Sequence, residues 1–309
     1  MSLMVAKLLS YEVFLSVLIP KMARGRRPYQ HQIAEACSIG MEVRMSPSPD
    51  TLAIETDGLT KRFNDFTAVD QIDLNVQKGE IYGFLGPNGA GKSTTIRMLS
   101  TLLTPSSGSA RVSGYDIIHE AGQVRKKIGL VSEKLIMYPR LTAFENLMFF
   151  GSLYDIDRDS LRDKTNKLLD LVQLTPFRDR VVGGYSSGMR QRLNVIRALL
   201  HDPEIIFLDE PTTALDPQST RFVRDLVKEL RGMGHTIVLT THIMEEADEL
   251  SDTISIIDHG KIIATDTPAN LKKKCHADNL LDVFLSLTGR ELRDSASDKI
   301  PMRRVVGRM

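Results

Sequence analysis

A glycine-rich stretch, GPNGAGKST, follows directly after the short apolar run Ile81–Leu85. It matches the pattern GxxxxGK[ST] at Gly86, Gly91, Lys92 and Ser93. Glycines let backbone N–H groups turn inward onto phosphate oxygens, and the N-terminus of a following helix adds a favourable dipole. The lysine is expected to reach β and γ phosphates, and the serine hydroxyl to reach Mg²⁺. The stretch therefore predicts a phosphate-binding loop between a strand and a helix that starts near Lys92; the alternative is an accidental glycine turn.

A second group of chemically active residues lies in EIIFLDEPTTALD, where the apolar run Ile205–Leu208 ends in Asp209 and Glu210. Such a run suits a parallel strand, and the C-terminal ends of parallel strands line the ligand crevice of an open α/β sheet. Asp209 would meet the Mg²⁺ held by Ser93, and Glu210 would act as general base toward an attacking water. A strand simply capped by acidic residues is the alternative.

His242 follows the next predicted strand, HTIVLTTH, and would reach the same crevice. An imidazole there could hydrogen-bond a γ-phosphate or orient water. An isolated histidine is otherwise more often a packing or surface residue.

The stretch YSSGMRQRL, Tyr185–Leu193, predicts a second Ser/Gly-rich helix start. One nucleotide needs one phosphate cradle, so this second start is redundant within a single chain. Around it, Thr142 and Glu145 have capping-box spacing, and apolar periodicity predicts helices over Leu161–Leu174 and Leu193–Leu200. Residues of about 135–200 are thus predicted to form a mainly helical insert between strands.

Together these motifs resemble the ATP-binding subunits of ABC transporters. GPNGAGKST resembles the family's Walker A, IIFLDE its Walker B with the following glutamate, TALD its D-loop, His242 its switch histidine and YSSGMRQRL its signature, usually written LSGGQ. The resemblance covers residues 52 to about 266. It implies an α/β fold: a P-loop NTPase core with a mainly parallel sheet, an N-terminal antiparallel β subdomain and a helical signature subdomain.

The resemblance also assigns site residues. Glu210 and His242 would be catalytic, while Ser93, Asp209 and Glu133 would hold Mg²⁺. Phe63, in LTKRFNDF, sits where the family places the ring that stacks on adenine; a core or edge phenylalanine is the alternative. The implied ATP contacts are Phe63, Gly86, Pro87, Asn88, Gly89, Ala90, Gly91, Lys92, Ser93, Thr94, Ser186 and Gly188.

Two departures from the family pattern stand out. Glu133 replaces the Q-loop glutamine, which adds a negative charge and removes an amide donor. In the signature, Ser187 and Met189 replace a glycine and the glutamine. Ser186 and Gly188, the hydroxyl and the close-approach glycine that phosphate contact needs, are retained.

Composition limits the classes of function. The chain of 309 residues has 40 basic and 39 acidic side chains, so it lacks the basic field typical of nucleic-acid binding. Cys37 and Cys275 show neither a disulfide framework nor zinc spacing, which fits a reducing cytosol. The apolar run Leu3–Ile19 contains Lys7 and Glu12 and is shorter than the ~20 apolar residues of a spanning helix.

We expect residues 1–50 to be an extension outside the fold, either disordered or not translated if synthesis begins at Met41 or Met45. Residues 51–266 would form the ATPase domain, 267–292 a C-terminal helical extension, and 293–309 a disordered tail that lacks apolar periodicity.

The predicted function is an ATP-hydrolysing subunit that drives transport through a separate integral membrane permease, at the cytoplasmic face of the membrane. Two copies, or one copy and a similar subunit, would enclose ATP, with each signature facing the nucleotide held by the other chain. The C-terminus resembles exporter ATPases of the daunorubicin-resistance and sodium-extrusion kind. Met137, Tyr138, Leu141 and Phe144 could contact the permease, although such residues are more often core. A soluble ABC-type ATPase and a nucleotide-binding regulator without turnover are the alternatives.

Overall fold

The computed structural model describes residues 51–132 and 137–289. The predicted N-terminal extension, the tail at 293–309 and Glu133 lie outside the described residues. The strands are β1 Leu52–Phe63, β2 Phe66–Gln77, β3 Ile81–Leu85, β4 Ser107–Val112, β5 Tyr115–Asp116, β6 Ile128–Val131, β7 Ile205–Asp209, β8 Thr236–Thr241, β9 Thr253–Asp258 and β10 Lys261–Asp266. The α-helices are α1 Lys92–Leu99, α2 Ala121–Lys127, α3 Ala143–Gly151, α4 Arg158–Leu171, α5 Ser187–Ala198, α6 Pro217–Gly232, α7 Met244–Leu250, α8 Pro268–Lys274 and α9 Leu280–Thr288.

The N-terminal strands form an antiparallel sheet in the order β2-β1-β4-β5. β1 and β2 make a long hairpin that closes at the pair Phe63–Phe66, with Asn64 in the left-handed conformation at the turn. Paired residues of an antiparallel hairpin project to the same face, so both rings lie on one side of the hairpin end. This arrangement confirms the predicted antiparallel sheet.

The second sheet has the order β10-β9-β3-β8-β7-β6, in which all strands except β10 run parallel. Every residue of β3, β7 and β8 is buried. Ile205 and Phe207 pack toward the core shared with the antiparallel sheet, whereas Ile206 and Leu208 pack toward the core shared with the helical insert. Successive strand residues point to opposite faces, so continuous apolar runs are needed where both faces are covered.

The helical insert contains α3, α4 and α5. Thr142 and Glu145 form the predicted capping box at the start of α3. The bounds predicted for the other two helices were displaced: α4 spans Arg158–Leu171, and α5 spans Ser187–Ala198. Asp157 and Ser186 cap these helices through their side-chain oxygens, so each begins in a polar turn that apolar periodicity does not detect.

The strand order fixes where the reactive side chains meet. β3, β8 and β7 are neighbours, with Leu85 beside Thr241 and Asp209 beside Thr240. Their C-terminal ends therefore lie at one edge of the sheet, and the segments that follow them converge there. None of the helices within residues 51–132 and 137–289 combines the length and apolar character that crossing a bilayer requires.

Candidate functional site

The phosphate loop connects β3 to α1, as predicted. Gly91, at the start of α1, has φ 110°, a backbone conformation that disfavours any side chain. A Cβ atom on Gly91 would also lie 2.6 Å from the carbonyl oxygen of Ala68, and one on Gly86 would lie 2.1 Å from the carbonyl oxygen of Ile257. Neighbouring backbone therefore leaves no room for a side chain at either glycine. The loop packs closely against that backbone, and its N–H groups and the start of α1 lie at the cleft.

Lys92 is the first residue of α1, directly after the loop, and is only 4% exposed. Its Nζ donates to the carbonyl oxygens of Gly86 (2.8 Å) and Pro87 (3.1 Å) and forms an ion pair with Glu210 Oε1 at 3.2 Å. Burial lowers the pKa of Lys92, and the negative charge of Glu210 opposes that shift. The ammonium group is held between the loop and the end of β7, where a phosphate oxygen can replace Glu210 as its partner.

Ser93 and Asp209 form the predicted oxygen pair. Ser93 Oγ donates to Asp209 Oδ1 at 2.9 Å, and Thr240 Oγ1 donates to the same oxygen at 2.7 Å. Mg²⁺ takes hard oxygen ligands, commonly one or two from protein together with phosphate oxygens and water. The Ser93 hydroxyl and the Asp209 carboxylate fit that requirement. In the described part of the chain no three His, Cys, Asp or Glu side chains cluster as a metal site, so phosphate and water oxygens would complete the coordination.

Glu210 follows Asp209 in a left-handed backbone conformation, with φ 50°. Its N–H donates to the backbone and side-chain oxygens of Thr240, at 3.1 and 3.0 Å, which holds this less favourable conformation. The carboxylate contacts Lys92 through Oε1. Its Oε2 accepts from Thr213 Oγ1 at 3.1 Å and lies 3.0 Å from His242 Nδ1. Because a carboxylate accepts hydrogen bonds, this contact places the proton on Nδ1 of His242.

A cleft of about 610 Å³ joins these residues to the hairpin end. Phe63 lines it, as predicted, and so does Phe66, which is the more exposed of the two rings at 63%. Sequence reasoning did not select Phe66, and it placed Thr213 in the D-loop TALD without assigning it to this cleft. The signal for Phe66 was present in RFNDF, because two aromatic residues that flank a two-residue turn pair across a hairpin. The cleft's full lining is Phe63, Phe66, Ala68, Asn88, Gly89, Ala90, Gly91, Lys92, Ser93, Thr94, Glu210, Thr213 and His242.

The signature residues lie elsewhere on the chain. Ser186 is exposed and caps α5 by accepting from the N–H of Met189 at 3.2 Å. Gly188 is buried, and a Cβ atom there would lie 2.1 Å from Ser219 Oγ on α6. Neither residue lines the cleft that holds Lys92. The structure therefore brings the Walker residues together, whereas the start of the signature helix, with Ser186 exposed and Gly188 buried, lies outside their cleft.

The four residues predicted to contact a permease have different environments. Met137 and Phe144 are partly buried against the core of the helical insert. Tyr138 is 47% exposed, and its ring contacts Phe149 and Phe150, with ring centroids 5.0 and 5.9 Å apart. The alternative of core packing thus accounts for part of this group, and an aromatic surface remains at Tyr138.

Comparison with known proteins supports a nucleotide-binding site, because the similar proteins are ATP-binding proteins. A profile of the ABC transporter family matches residues 69–213. The chain is 47% identical over 222 residues to the daunorubicin/doxorubicin resistance ATP-binding protein DrrA of Streptomyces peucetius. The aligned region covers 72% of this chain and 67% of that protein. It is 39% identical over 233 residues to the linearmycin resistance ATP-binding protein LnrL of Bacillus subtilis, covering 75% of each chain.

Solved structures similar to this chain are also ATP-binding proteins. The ATP-binding subunit of an ABC transporter superposes with a TM-score of 0.70 at 26% identity, covering 77% of this chain and all of that chain. The ATP-binding cassette MJ0796, solved as a dimer in a post-hydrolysis state with ADP and Pi, gives a TM-score of 0.63 at 26% identity, covering 69% of this chain and 98% of that one.

Proposed function

Because this chain belongs to the family of ATP-binding subunits of ABC transporters, we propose specific roles for its residues in the reaction that this family performs. The protein is an ATPase that couples ATP hydrolysis to transport through membrane permease partners. Its relatives are resistance and export subunits, which supports transport over a soluble, non-transport ATPase. The proposed roles are nucleotide binding, activation of water and contact with a nucleotide held by a second chain.

Glu210 is the proposed general base. Its carboxylate takes a proton from water as the water oxygen forms a bond to the γ-phosphorus, and the bond from that phosphorus to the β–γ bridging oxygen breaks to give ADP and inorganic phosphate. The single observation that carries this proposal is the position of the carboxylate between Lys92 and His242 at the C-terminal edge of the sheet. His242 orients the carboxylate through Oε2.

Lys92 and the loop residues Gly86 to Thr94 are proposed to hold the phosphates. When ATP enters, Lys92 exchanges Glu210 for phosphate oxygens, which releases the carboxylate toward water. Ser93 and Asp209 would hold Mg²⁺, which when bound neutralises charge that develops on the phosphate oxygens. Glu133, the third proposed ligand, lies outside the described residues. Phe63 and Phe66 are proposed to contact the adenine ring.

Two chains are proposed to share each nucleotide. The signature start at Ser186 and Gly188 is separate from the cleft of its own chain. Its exposed cap and helix N-terminus would suit a phosphate held by a second chain. Such an arrangement explains why one chain carries two helix starts of phosphate-binding type. We propose that the second chain is another copy or a similar subunit.

The permease is proposed to contact the helical insert. An apolar groove of about 470 Å³ lies between α3 and α4, and it includes Phe144, Met148, Phe149 and Ile156. Arg158 and Arg162 border the groove. A permease element seated here would place this subunit at the cytoplasmic face of the membrane. Two relatives are named for resistance to daunorubicin, doxorubicin or linearmycin, and a third for Nod factor export, which supports the proposal that this chain serves export of a drug-like or antibiotic compound.

The experiment that tests the general base is Glu210→Gln, measured in the complex purified with its membrane partner. Steady-state hydrolysis should fall by about 10²- to 10⁴-fold, while ATP affinity is retained, because the amide keeps the shape of the side chain but cannot accept a proton. Glu229→Gln, at an exposed position on α6, is the matched control and should hydrolyse ATP normally. Near-normal hydrolysis by Glu210→Gln would remove Glu210 from the role of base.

A further inference from the structure

Glu246, on α7, is a fully buried carboxylate outside the nucleotide cleft. Its Oε1 accepts from Thr212 Oγ1 at 2.7 Å, and Arg224 Nε lies 3.8 Å away. Its Oε2 has no hydrogen-bond partner within the described residues. Burying a carboxylate is costly unless its partners are good, and here one hydrogen bond and a distant arginine are the main ones. Stability alone therefore does not explain a buried glutamate at position 246.

The hydrogen bond from Thr212 anchors the segment between Glu210 and α6. Thr212 is 4% exposed and lies two residues after Glu210. The next residue, Thr213, donates its hydroxyl to Glu210 Oε2 at 3.1 Å. A displacement of Thr212 would therefore move one of the two hydrogen-bond partners of that oxygen.

The same carboxylate also anchors the segment that carries the other partner. His242 lies four residues before Glu246, at the entry to α7, and its Nδ1 is 3.0 Å from Glu210 Oε2. At this entry the N–H of Ile243 donates to Thr241 Oγ1 at 3.0 Å, and the N–H of Ala247 donates to the carbonyl oxygen of Ile243 at 3.2 Å. The Thr212–Glu246 bond thus joins the two segments whose side chains orient Glu210 Oε2.

We propose that Glu246 is a positioning residue for hydrolysis: through Thr212 it fixes the spacing between Thr213 and His242, and so the direction in which the Glu210 carboxylate points. The inference rests on the proposed role of Glu210 as general base. Glu246 does not line the cleft. Loss of the Thr212–Glu246 hydrogen bond should therefore slow the chemical step and leave nucleotide binding by Lys92 unchanged. Misplacement of a reacting group by about 1 Å costs up to about 100-fold in rate.

The test compares Thr212→Val with Thr212→Ser in the complex with the membrane partner. Valine keeps the shape of threonine but removes the hydroxyl, and serine restores it. We expect Thr212→Val to lower kcat by about 10- to 100-fold with KM for ATP changed by less than about twofold, and Thr212→Ser to recover most of the rate. Glu246→Met should reproduce the loss, and the double variant Thr212→Val/Glu246→Met should add little to either single one.

Glu245→Gln is the matched control, since this exposed glutamate lies next to Glu246 on α7 and contacts neither Thr212 nor Arg224. It should leave kcat unchanged. All assays are run below the unfolding transition of each variant. An unchanged kcat in Thr212→Val, a rise in KM that matches the loss of kcat, or a failure of Thr212→Ser to recover the rate would overturn the proposal.

Glu210→Gln is assayed alongside to separate the two proposals. If it hydrolyses ATP normally, the proposed function fails. If it is inactive while Thr212→Val is normal, only the positioning role fails.

Discussion

The ion pair between Lys92 and Glu210 predicts a coupled effect on the stability of the nucleotide-free protein. The two side chains are 4% and 12% exposed, and their charged atoms lie 3.2 Å apart. Lys92→Met removes the ammonium group and keeps most of the side-chain volume. The carboxylate of Glu210 then stays in place without a countercharge, and its remaining partners among the described residues are Thr213 and His242.

The expected magnitude follows from this geometry. At an effective dielectric constant of about 20, two unit charges 3.2 Å apart attract by about 5 kcal/mol. Desolvation of both groups offsets much of that, and loss of one partner of a buried pair commonly costs about 3 to 5 kcal/mol. We therefore expect Lys92→Met to lower the free energy of unfolding by about 3 kcal/mol, and Glu210→Gln to recover about 2 kcal/mol of that loss in the double variant.

The assay is a double-mutant cycle by urea denaturation without nucleotide. The exposed pair Lys127–Glu204, with side chains 37% and 49% exposed, is the control cycle and should couple by less than about 1 kcal/mol. If the Lys92 and Glu210 effects add within about 0.5 kcal/mol, the two groups do not interact in the free protein. That result would contradict the proposed step in which Lys92 exchanges Glu210 for phosphate oxygens when ATP binds.

Two further predictions concern the cleft and the core. Phe63→Ala and Phe66→Ala should each weaken ATP binding, by about 1 to 3 kcal/mol for a ring that stacks on the base, whereas the affinity for inorganic triphosphate, which has no base, should not change. Equal losses for both ligands would contradict the stacking role. Burial raises the pKa of Tyr82 to about 12, so the unfolded chain ionises first and stability is lost as pH rises from 10 toward 12. Between pH 8 and 11 the wild type should therefore lose about 1 kcal/mol more than Tyr82→Phe in urea denaturation, and parallel pH profiles would contradict the burial effect.

Local patterns in the sequence were enough to predict the phosphate loop and the strands that flank it. β3 has the predicted bounds Ile81–Leu85, because a short apolar run ends abruptly at glycines. α1 begins at Lys92, as expected from the Walker pattern. The acidic end of β7 was predicted for the same reason, because the change from apolar to charged residues marks where the buried strand ends.

Residues that depend on the strand order could not be predicted in this way. Thr240 contacts Asp209 and Glu210 only because β8 lies beside β7, and no local pattern encodes that pairing. The bond between Thr212 and Glu246 joins segments 34 residues apart. The start of α4 at its Asp157 cap was also displaced in the prediction, because capping depends on single side chains rather than on periodicity, whereas the Ser/Gly-rich stretch Tyr185–Leu193 did predict the start of α5 at Ser186.

The claim that two chains share each nucleotide can be tested by combining two inactive variants. Lys92→Met disables the phosphate loop, and Ser186→Arg blocks the signature start. If each site uses Lys92 of one chain and Ser186 of the other, a mixed dimer regains one intact site, and co-expression with the membrane partner should restore up to about a quarter of the wild-type ATPase activity. Activity no higher than that of either variant alone would contradict the shared site.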